Sequence, residues 1–226
     1  MAENSRDTVY RTLLERLVHG AYANGDALIP QVLAEEFHVS RTPVREALGL
    51  LERDGLLVSG RRGYVVRQRD DQEILDIFET RAVLESAAAY AAAARATPID
   101  IARMQDLHDR SQTASDAVEV RRLFNHFHDA LRNAAHNATI TSLLRTIEAQ
   151  AKVSAPWGTP AGGREFAPSY AEHAAILDAI RSADPAAARA ASLAHSASDR
   201  DTRVSQLIAR MATDLTAPDS SAAGYP

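Results

Sequence analysis

Three histidines in the C-terminal half of the chain have the residue type and spacing of a metal site. His173 and His195 are 22 residues apart, and Asp184, midway between them, marks a turn between two predicted helices. At a rise of about 1.5 Å per residue, both imidazoles lie ~16 Å from that turn, at the same height on antiparallel helices. His128 lies on an apolar helical stripe that we expect to be buried. Imidazoles that meet inside a bundle can bind a divalent metal, although each one alone could be a hydrogen-bonded core histidine.

Two arginines near the start of another predicted helix have the spacing of DNA contacts. Arg41 and Arg45 are four residues apart, so both project from one face of a helix for which Ser40 is the N-cap. A guanidinium in the major groove can bond guanine or a phosphate, and Ser40 and Thr42 can bond phosphates through their hydroxyls. The alternative is a solvated helix face whose arginines pair with neighbouring glutamates.

A basic, glycine-rich turn follows that helix. Runs of β-forming residues at 56–58 and 64–66 predict a hairpin. Arg61, Arg62 and Gly63 lie at its tip, where they suit the minor groove or the DNA backbone.

Two different scaffolds are needed to position these residues. Before residue 70, apolar spacing and glycine stops predict three helices, which lie at about 7–19, 30–37 and 40–54. From residue 70 onward the chain is rich in Ala, Leu and Arg, and we predict six helices, at about 70–96, 98–114, 116–136, 139–153, 167–182 and 185–213.

The predicted fold is mostly α. An N-terminal winged helix-turn-helix, made of three helices plus a β-hairpin wing, covers residues 1–69. An all-α antiparallel helical bundle for effector binding and dimerisation covers 70–213, and 214–226 form a tail that we expect to be disordered.

Composition and charge narrow the classes of function. The absence of cysteine excludes disulfides and thiolate metal ligands, and it fits a reducing compartment such as the cytoplasm. No signal peptide is evident, and the longest apolar tract, 87–94, is far shorter than the ~20 residues that span a bilayer. The net charge of −5 divides into +1 for residues 1–69 and −6 for 70–226. The N-terminal domain is therefore nearly neutral and can bind DNA through its clustered arginines, whereas the acidic C-terminal bundle need not touch the DNA.

Residues 5–69, approximately, resemble the winged helix domain of the GntR family of bacterial repressors. The similarity is strongest over positions 33–66, LAEEFHVSRTPVREALGLLERDGLLVSGRRGYVV, and the run SRTPVREAL is highly typical of the family. The resemblance implies a transcription factor that binds double-stranded DNA. Family members often have an arginine at the position of Gln31; glutamine cannot supply that charge but can bond adenine or a phosphate.

The C-terminal half resembles the FCD domain, the all-helical ligand-binding domain of the FadR subfamily. The matching motifs are RAVLE at 81–85, FHDAL at 127–131, EHAAILDAI at 172–180 and ASLAH at 191–195. The resemblance implies that His128, His173 and His195 bind a divalent metal such as zinc or nickel, together with an aspartate four residues before the first histidine. This chain has Phe124 at that position, and Asn125 is the nearest substitute oxygen ligand.

A small carboxylate effector is also implied by the resemblance, because Arg81 matches an arginine that faces the same cavity in related proteins. A guanidinium binds a carboxylate through two parallel hydrogen bonds. Arg145 is a second candidate for the effector contact, with a surface salt bridge as its alternative. Trp157, in a loop rich in Pro and Gly, either covers the mouth of the cavity or caps the bundle.

We therefore expect a homodimeric regulator, a repressor rather than an enzyme, that binds a pseudo-palindromic operator and responds to a small carboxylate. One alternative is a regulator whose only signal is the metal. Another is a metallohydrolase with an accessory DNA head, which would need a general base beside the metal. The sequence does not place an acidic residue there.

Overall fold

The computed structural model describes residues 5–154 and 166–216, which form a small winged head followed by a helical bundle. The head contains, in chain order, α1 (Ser5–Val18), β1 (Ala27–Leu28), α2 (Pro30–Glu36), α3 (Arg41–Arg53), β2 (Leu57–Gly60) and β3 (Gly63–Val66). The bundle contains α4 (Asp71–Arg95), α5 (Pro98–Thr113), α6 (Ala117–Ala134), α7 (Ala138–Ser154), α8 (Ala167–Arg181) and α9 (Pro185–Thr216). The predicted fold class, a winged helix-turn-helix followed by an all-α bundle, is confirmed.

The core of the head forms where the apolar stripes of α1 and α3 meet. Leu13 and Leu17 on α1 and Val44, Leu48 and Leu51 on α3 are almost completely buried. Their helical spacing brings each set onto one face, and burial of each aliphatic side chain contributes about 1.5–3 kcal/mol. The opposite face of α3 consequently points to solvent.

The wing is a three-stranded antiparallel sheet in the order β1-β3-β2. Gly60 pairs with Gly63, so the tip is a tight turn made of Arg61 and Arg62. Gly63 has a φ of 147°, and a Cβ there would lie 2.6 Å from the backbone oxygen of Leu28. Only glycine allows this close approach of β1. The sequence analysis did not predict β1, because two residues are too few to show an alternating pattern.

Capping residues set the first residue of two helices in the bundle, α4 and α5. The side chain of Asp70 accepts a hydrogen bond from the backbone N–H of Glu73 at 2.8 Å, and Thr97 and Asp100 form the same reciprocal arrangement around α5. Helix α9 extends to Thr216, three residues beyond the predicted end. The loop residue Trp157 and the rest of the expected tail, 217–226, lie outside the described residues.

Helix α4 is the centre of the bundle and packs against α6, α7, α8 and α9. Its alanine-rich second half, including Ala88, Ala89 and Ala92, is fully buried, and the small side chains allow neighbouring helices to approach closely. None of the helices within the described ranges is both long and apolar enough to cross a bilayer.

The last two turns of α7 join the bundle to the head. Ala149 and Val153 are buried in the hydrophobic core of the head. Gln150 Nε2 donates to the backbone oxygen of Asp54 at 2.8 Å, and the Arg69 guanidinium donates to Ser154 Oγ at 2.6 Å. The end of α7 is therefore held against the head by apolar packing and by hydrogen bonds.

Candidate functional site

The start of α3 presents the predicted DNA contacts to solvent. Arg41, Thr42 and Arg45 are all exposed, opposite the buried face of the helix. Ser40 occupies the N-cap position, and its side chain makes no capping hydrogen bond. These four side chains form one polar, basic surface at the end of a helix, which is how a recognition helix meets the major groove.

An open cleft lies between α2 and the start of α3. Its lining includes Gln31, Glu35, His38, Ser40 and Arg41. Gln31 Nε2 donates to Glu35 Oε1 at 2.6 Å, and the amide has a second N–H and a carbonyl oxygen that can bond a base or a phosphate. The predicted DNA contact of Gln31 is therefore compatible with this internal hydrogen bond, and it stays a prediction.

The wing tip is the second basic element of the head. Arg61 and Arg62 are exposed in the two-residue turn, and Gly63 is half-buried beside them. The short turn keeps both guanidiniums at the end of a rigid hairpin, where they can contact a groove or a phosphate backbone. Recognition helix and wing thus supply two separate basic surfaces.

In the bundle, the structure brings His128 of α6, His173 of α8 and His195 of α9 together. The Nε2 atoms of His173 and His195 each lie 3.2 Å from Nε2 of His128. One ligand atom from each ring lies within 4.8 Å of the other two. Two nitrogens bound to one zinc ion at about 2.0–2.1 Å are themselves roughly 3.0–3.4 Å apart. The spacing of the cluster therefore fits a divalent cation.

Burial favours the neutral, metal-binding form of two of these imidazoles, His128 and His173. Burial, followed by the charges of His173 and His195, lowers the pKa of His128 well below its ordinary value. Burial also lowers the pKa of His173. His195 Nδ1 donates to Glu172 Oε2 at 2.7 Å, which fixes the proton on Nδ1 and leaves the Nε2 lone pair facing the cluster.

The position of the missing aspartate is occupied by an aromatic ring. The Phe124 ring packs edge-on against the His173 ring, with centroids 4.6 Å apart. Asn125, the predicted substitute, is partly buried one residue further along α6, and its role as a ligand stays a prediction. The structure instead places two carboxylates beside the cluster, those of Glu172 and Asp199, which the sequence analysis missed.

Arg81 faces the same region from α4. Its Nη1 donates to Asp199 Oδ2 at 3.2 Å, and Asp199 Oδ2 is 3.9 Å from His195 Nε2. The Nε of Arg81 is buried and makes no hydrogen bond among the described residues, and its nearest carboxylate is Glu85 Oε1 at 3.7 Å, an ion-pair distance. A buried donor without a hydrogen bond is costly, so an anion that approached it more closely would be stabilised here. Arg145 is exposed on α7 and forms no ion pair within the described ranges, so its effector contact stays a prediction.

A buried arginine, which the sequence analysis also missed, connects three helices below the cluster. Arg132, one turn after His128 on α6, is 2% exposed. It forms ion pairs with Glu85 of α4, with Glu148 of α7, and with Asp129. Burial alone would lower the pKa of Arg132, but the surrounding carboxylates raise it. The guanidinium is therefore permanently charged and links the histidine helix to α7.

Glu148 makes the stability of the protein depend on pH. Burial would raise the pKa of Glu148, but Arg132 and Lys152 lower it to about 2, from an ordinary value of 4.5. A carboxylate whose pKa is lowered in the folded state stabilises the protein fully above pH 4.5, and this contribution disappears as the pH falls toward 2. We expect the urea midpoint of metal-free protein to fall across this window.

The matched variant for this pH dependence is Glu148→Gln. It is expected to be less stable than the parent at neutral pH, since Arg132 loses a partner, and to lose less stability on acidification. Urea denaturation at several pH values, with chelator present, gives both slopes. Equal slopes for parent and variant would show that Glu148 does not titrate as proposed.

Known protein families match both the winged head and the helical bundle. The FCD domain profile matches residues 76–198, and the profile for bacterial regulatory proteins of the gntR family matches residues 5–66. Together these matches span the head and most of the described bundle, up to residue 198.

Individual relatives agree with the profiles. The galactonate operon transcriptional repressor of Escherichia coli is 28% identical over 85% of this chain and 94% of its own. The uncharacterized HTH-type transcriptional regulator YdhC of Bacillus subtilis is 28% identical over 61% of this chain. The matched region spans only 64% of the length of YdhC. The solved structure of E. coli McbR/YncC superposes with a TM-score of 0.75 at 22% identity, covering 92% of this chain and 99% of that one, and so shows the same fold. These relatives are transcription regulators rather than enzymes.

Proposed function

The chain belongs to the gntR family of bacterial regulatory proteins and contains an FCD domain, and from this premise we propose that it is a homodimeric, cytoplasmic repressor controlled by a small carboxylate. The effector binds together with a divalent metal at His128, His173 and His195. Its binding lowers the affinity of the head for a pseudo-palindromic DNA operator. Two recognition helices, one from each protomer, would enter successive major grooves roughly 34–36 Å apart.

The observation that supports this proposal best is the convergence of three Nε2 atoms near Arg81, which is partly buried. Three neutral imidazoles form a ligand set that suits borderline metals such as zinc and nickel. When bound, the metal supplies positive charge and open positions for an anionic oxygen. Arg81 supplies a fork for the same carboxylate. Neither group alone defines the ligand, but together they favour a small carboxylate.

The class of effector is supported by one relative. The E. coli repressor that matches most of this chain is named for the galactonate operon, and galactonate is a hydroxylated carboxylate. Such a ligand offers a carboxylate to Arg81 and the metal, and hydroxyls for further hydrogen bonds. We extend only the chemical class, a small hydroxylated carboxylic acid, to this protein.

The signal would reach the DNA head through α6 and α7. His128 and Arg132 are one turn apart on α6, and Arg132 binds Glu148 on α7. The end of α7 in turn contacts the head through Gln150 and Val153. A shift of α6 on effector binding is therefore connected to the head by ion pairs, hydrogen bonds and apolar packing, and 1–3 kcal/mol of coupling is typical of such regulators.

The role of the head is tested by Arg45→Ala. The operator is first isolated from random double-stranded DNA by selection with the full-length protein. Loss of a guanidinium from the start of the recognition helix is expected to weaken operator binding by about 1–3 kcal/mol, roughly 5- to 150-fold. Fluorescence anisotropy with the selected operator measures this loss.

Arg53→Ala is the matched control, because Arg53 is exposed at the other end of α3 and the variant has the same charge. We expect Arg53→Ala to bind the operator nearly as well as the parent. Equal losses in the two variants would mean that α3 contributes only general positive charge, and the assignment of the recognition surface would be wrong.

A further inference from the structure

The side of the histidine cluster nearest α6 is closed to a carboxylate ligand. The Phe124 ring contacts the ring of His173, and it also packs edge-on against Phe166 and Tyr170, with centroid distances of 5.6 and 5.3 Å. This aromatic group fills that place with apolar rings, which offer a metal no ligand atom. An anionic ligand for a metal in the cluster must therefore come from another helix.

Two carboxylates lie within 4.0 Å of the ring nitrogens of these histidines in the described part of the chain, and they face opposite nitrogens of one ring. Glu172 bonds Nδ1 of His195, the nitrogen that points away from the cluster. Asp199 lies 3.9 Å from Nε2 of His195, the nitrogen that meets His128. Asp199 is thus on the side where a metal would bind, and its distance is only slightly longer than the 3.2 Å between the imidazole nitrogens.

Charge balance favours an anion at this place. A divalent cation held by three neutral imidazoles keeps its full charge, and Arg81 adds another positive charge nearby. Asp199 lies between Arg81 and the place where the cation would bind, because its Oδ2 accepts from Arg81 Nη1 at 3.2 Å and lies 3.9 Å from His195 Nε2. Its side chain is largely shielded from water, with 26% of its surface exposed. The carboxylate therefore separates two positive charges that would otherwise repel one another in a poorly solvated site.

We propose that Asp199, on α9, supplies the anionic oxygen ligand of the metal site in place of the α6 carboxylate that Phe124 has replaced. This inference rests on the metal site of the proposed function. Asp199 and His195 are one helical turn apart, so α9 contributes a pair of ligands at i and i+4. An effector carboxylate would meet the same two partners, the metal and Arg81. Asp199 therefore competes with the effector and sets the affinity of the site for it.

The test compares the binding of Co²⁺ and Zn²⁺ by full-length variants. Asp199→Asn keeps the size of the side chain and removes its charge. We expect Co²⁺ and Zn²⁺ affinities, measured by competition with a chelator, to fall at least about tenfold, and the visible absorption spectrum of bound Co²⁺ to change. Asp201→Asn, an exposed position two residues further along α9, is the charge-matched control, and Asn125→Ala tests the other candidate ligand. Both are expected to bind Co²⁺ as the parent does.

Chemical rescue separates the loss of a ligand from damage to the fold. Asp199→Ala is expected to bind Co²⁺ weakly, and added acetate is expected to restore both affinity and spectrum by supplying a free carboxylate. A misfolded variant would not respond to acetate. The role of Asp199 would be overturned if acetate gave no rescue. It would also be overturned if Asp199→Asn and Asp201→Asn had equal Co²⁺ affinity and the same Co²⁺ spectrum. Either result would leave the histidine site itself intact. Loss of binding in Asn125→Ala alone would assign the ligand to α6. Failure of the parent protein to bind Co²⁺ would overturn the metal site itself.

Discussion

Replacing Arg132 by methionine is expected to destabilise the bundle by about 3–5 kcal/mol, because it leaves buried carboxylates without their cation. Glu85 is 4% exposed and depends on Arg132 for its closest ion pair. Glu148 keeps Lys152, at 2.6 Å, but loses its buried partner. Methionine preserves the apolar stem and the volume, so the loss reports on charge rather than on a cavity. Urea denaturation of metal-free protein measures it as a lower midpoint at an unchanged slope.

Two further variants show whether the buried charges are responsible. Arg122→Met removes an arginine from the same helix where it is exposed and paired with Glu119, and we expect its urea midpoint to stay close to that of the parent. Adding Glu85→Gln and Glu148→Gln to Arg132→Met removes the stranded charges and is expected to recover much of the loss. A single variant as stable as Arg122→Met would show that the ion pairs of Arg132 do not stabilise the bundle.

The second large effect is expected from His128→Leu. His128 is the only one of the three histidines whose Nε2 lies 3.2 Å from both others, so its loss removes the centre of the ligand set. We expect affinity for Zn²⁺ to fall more than about 100-fold. This loss exceeds the roughly 10- to 100-fold fall in metal affinity that follows when a residue hydrogen-bonded to a metal ligand is removed. Operator binding without effector is expected to persist, because the winged head is unchanged. Chelator competition and operator anisotropy measure the two properties separately.

His126→Leu is the matched control for His128→Leu. His126 is on the same helix, two residues earlier, and is exposed. It is expected to bind Zn²⁺ as the parent does. Unchanged Zn²⁺ affinity in His128→Leu would mean that the histidines form a hydrogen-bonded core cluster, the alternative that the sequence left open.

Much of this site could be predicted from residue spacing, because local rules set its geometry. Asp184 lies midway between His173 and His195, and the structure has a turn there, with α8 ending at Arg181 and α9 beginning at Pro185. Equal distances from one turn placed the two imidazoles at equal heights. The apolar stripe of α6 then turned His128 toward them. The same kind of local information, capping residues and prolines, placed most helix ends within a residue or two.

Arg132 and Asp199 could not be predicted in this way, because their environments depend on distant parts of the chain. The two partners of Arg132 on other helices are 47 residues before it and 16 after it, and an arginine in a sequence is by default expected to be exposed. Asp199 follows His195 by one turn, but its contact with Arg81 joins residues 118 apart. The packing of α4 against α6 and α9 brings these groups together, and spacing within one helix does not encode that packing.

We propose that a carboxylate in the histidine site controls the affinity of the head for DNA. The most direct test first selects the small hydroxylated and dicarboxylic acids that raise the melting temperature of the Zn²⁺-loaded full-length protein. Fluorescence anisotropy then measures the operator affinity of that protein with and without each selected acid. We predict that at least one such acid weakens operator binding about 5- to 150-fold, and that His128→Leu does not respond to it. Contradiction would come from acids that saturate the site and stabilise the protein but leave operator affinity unchanged.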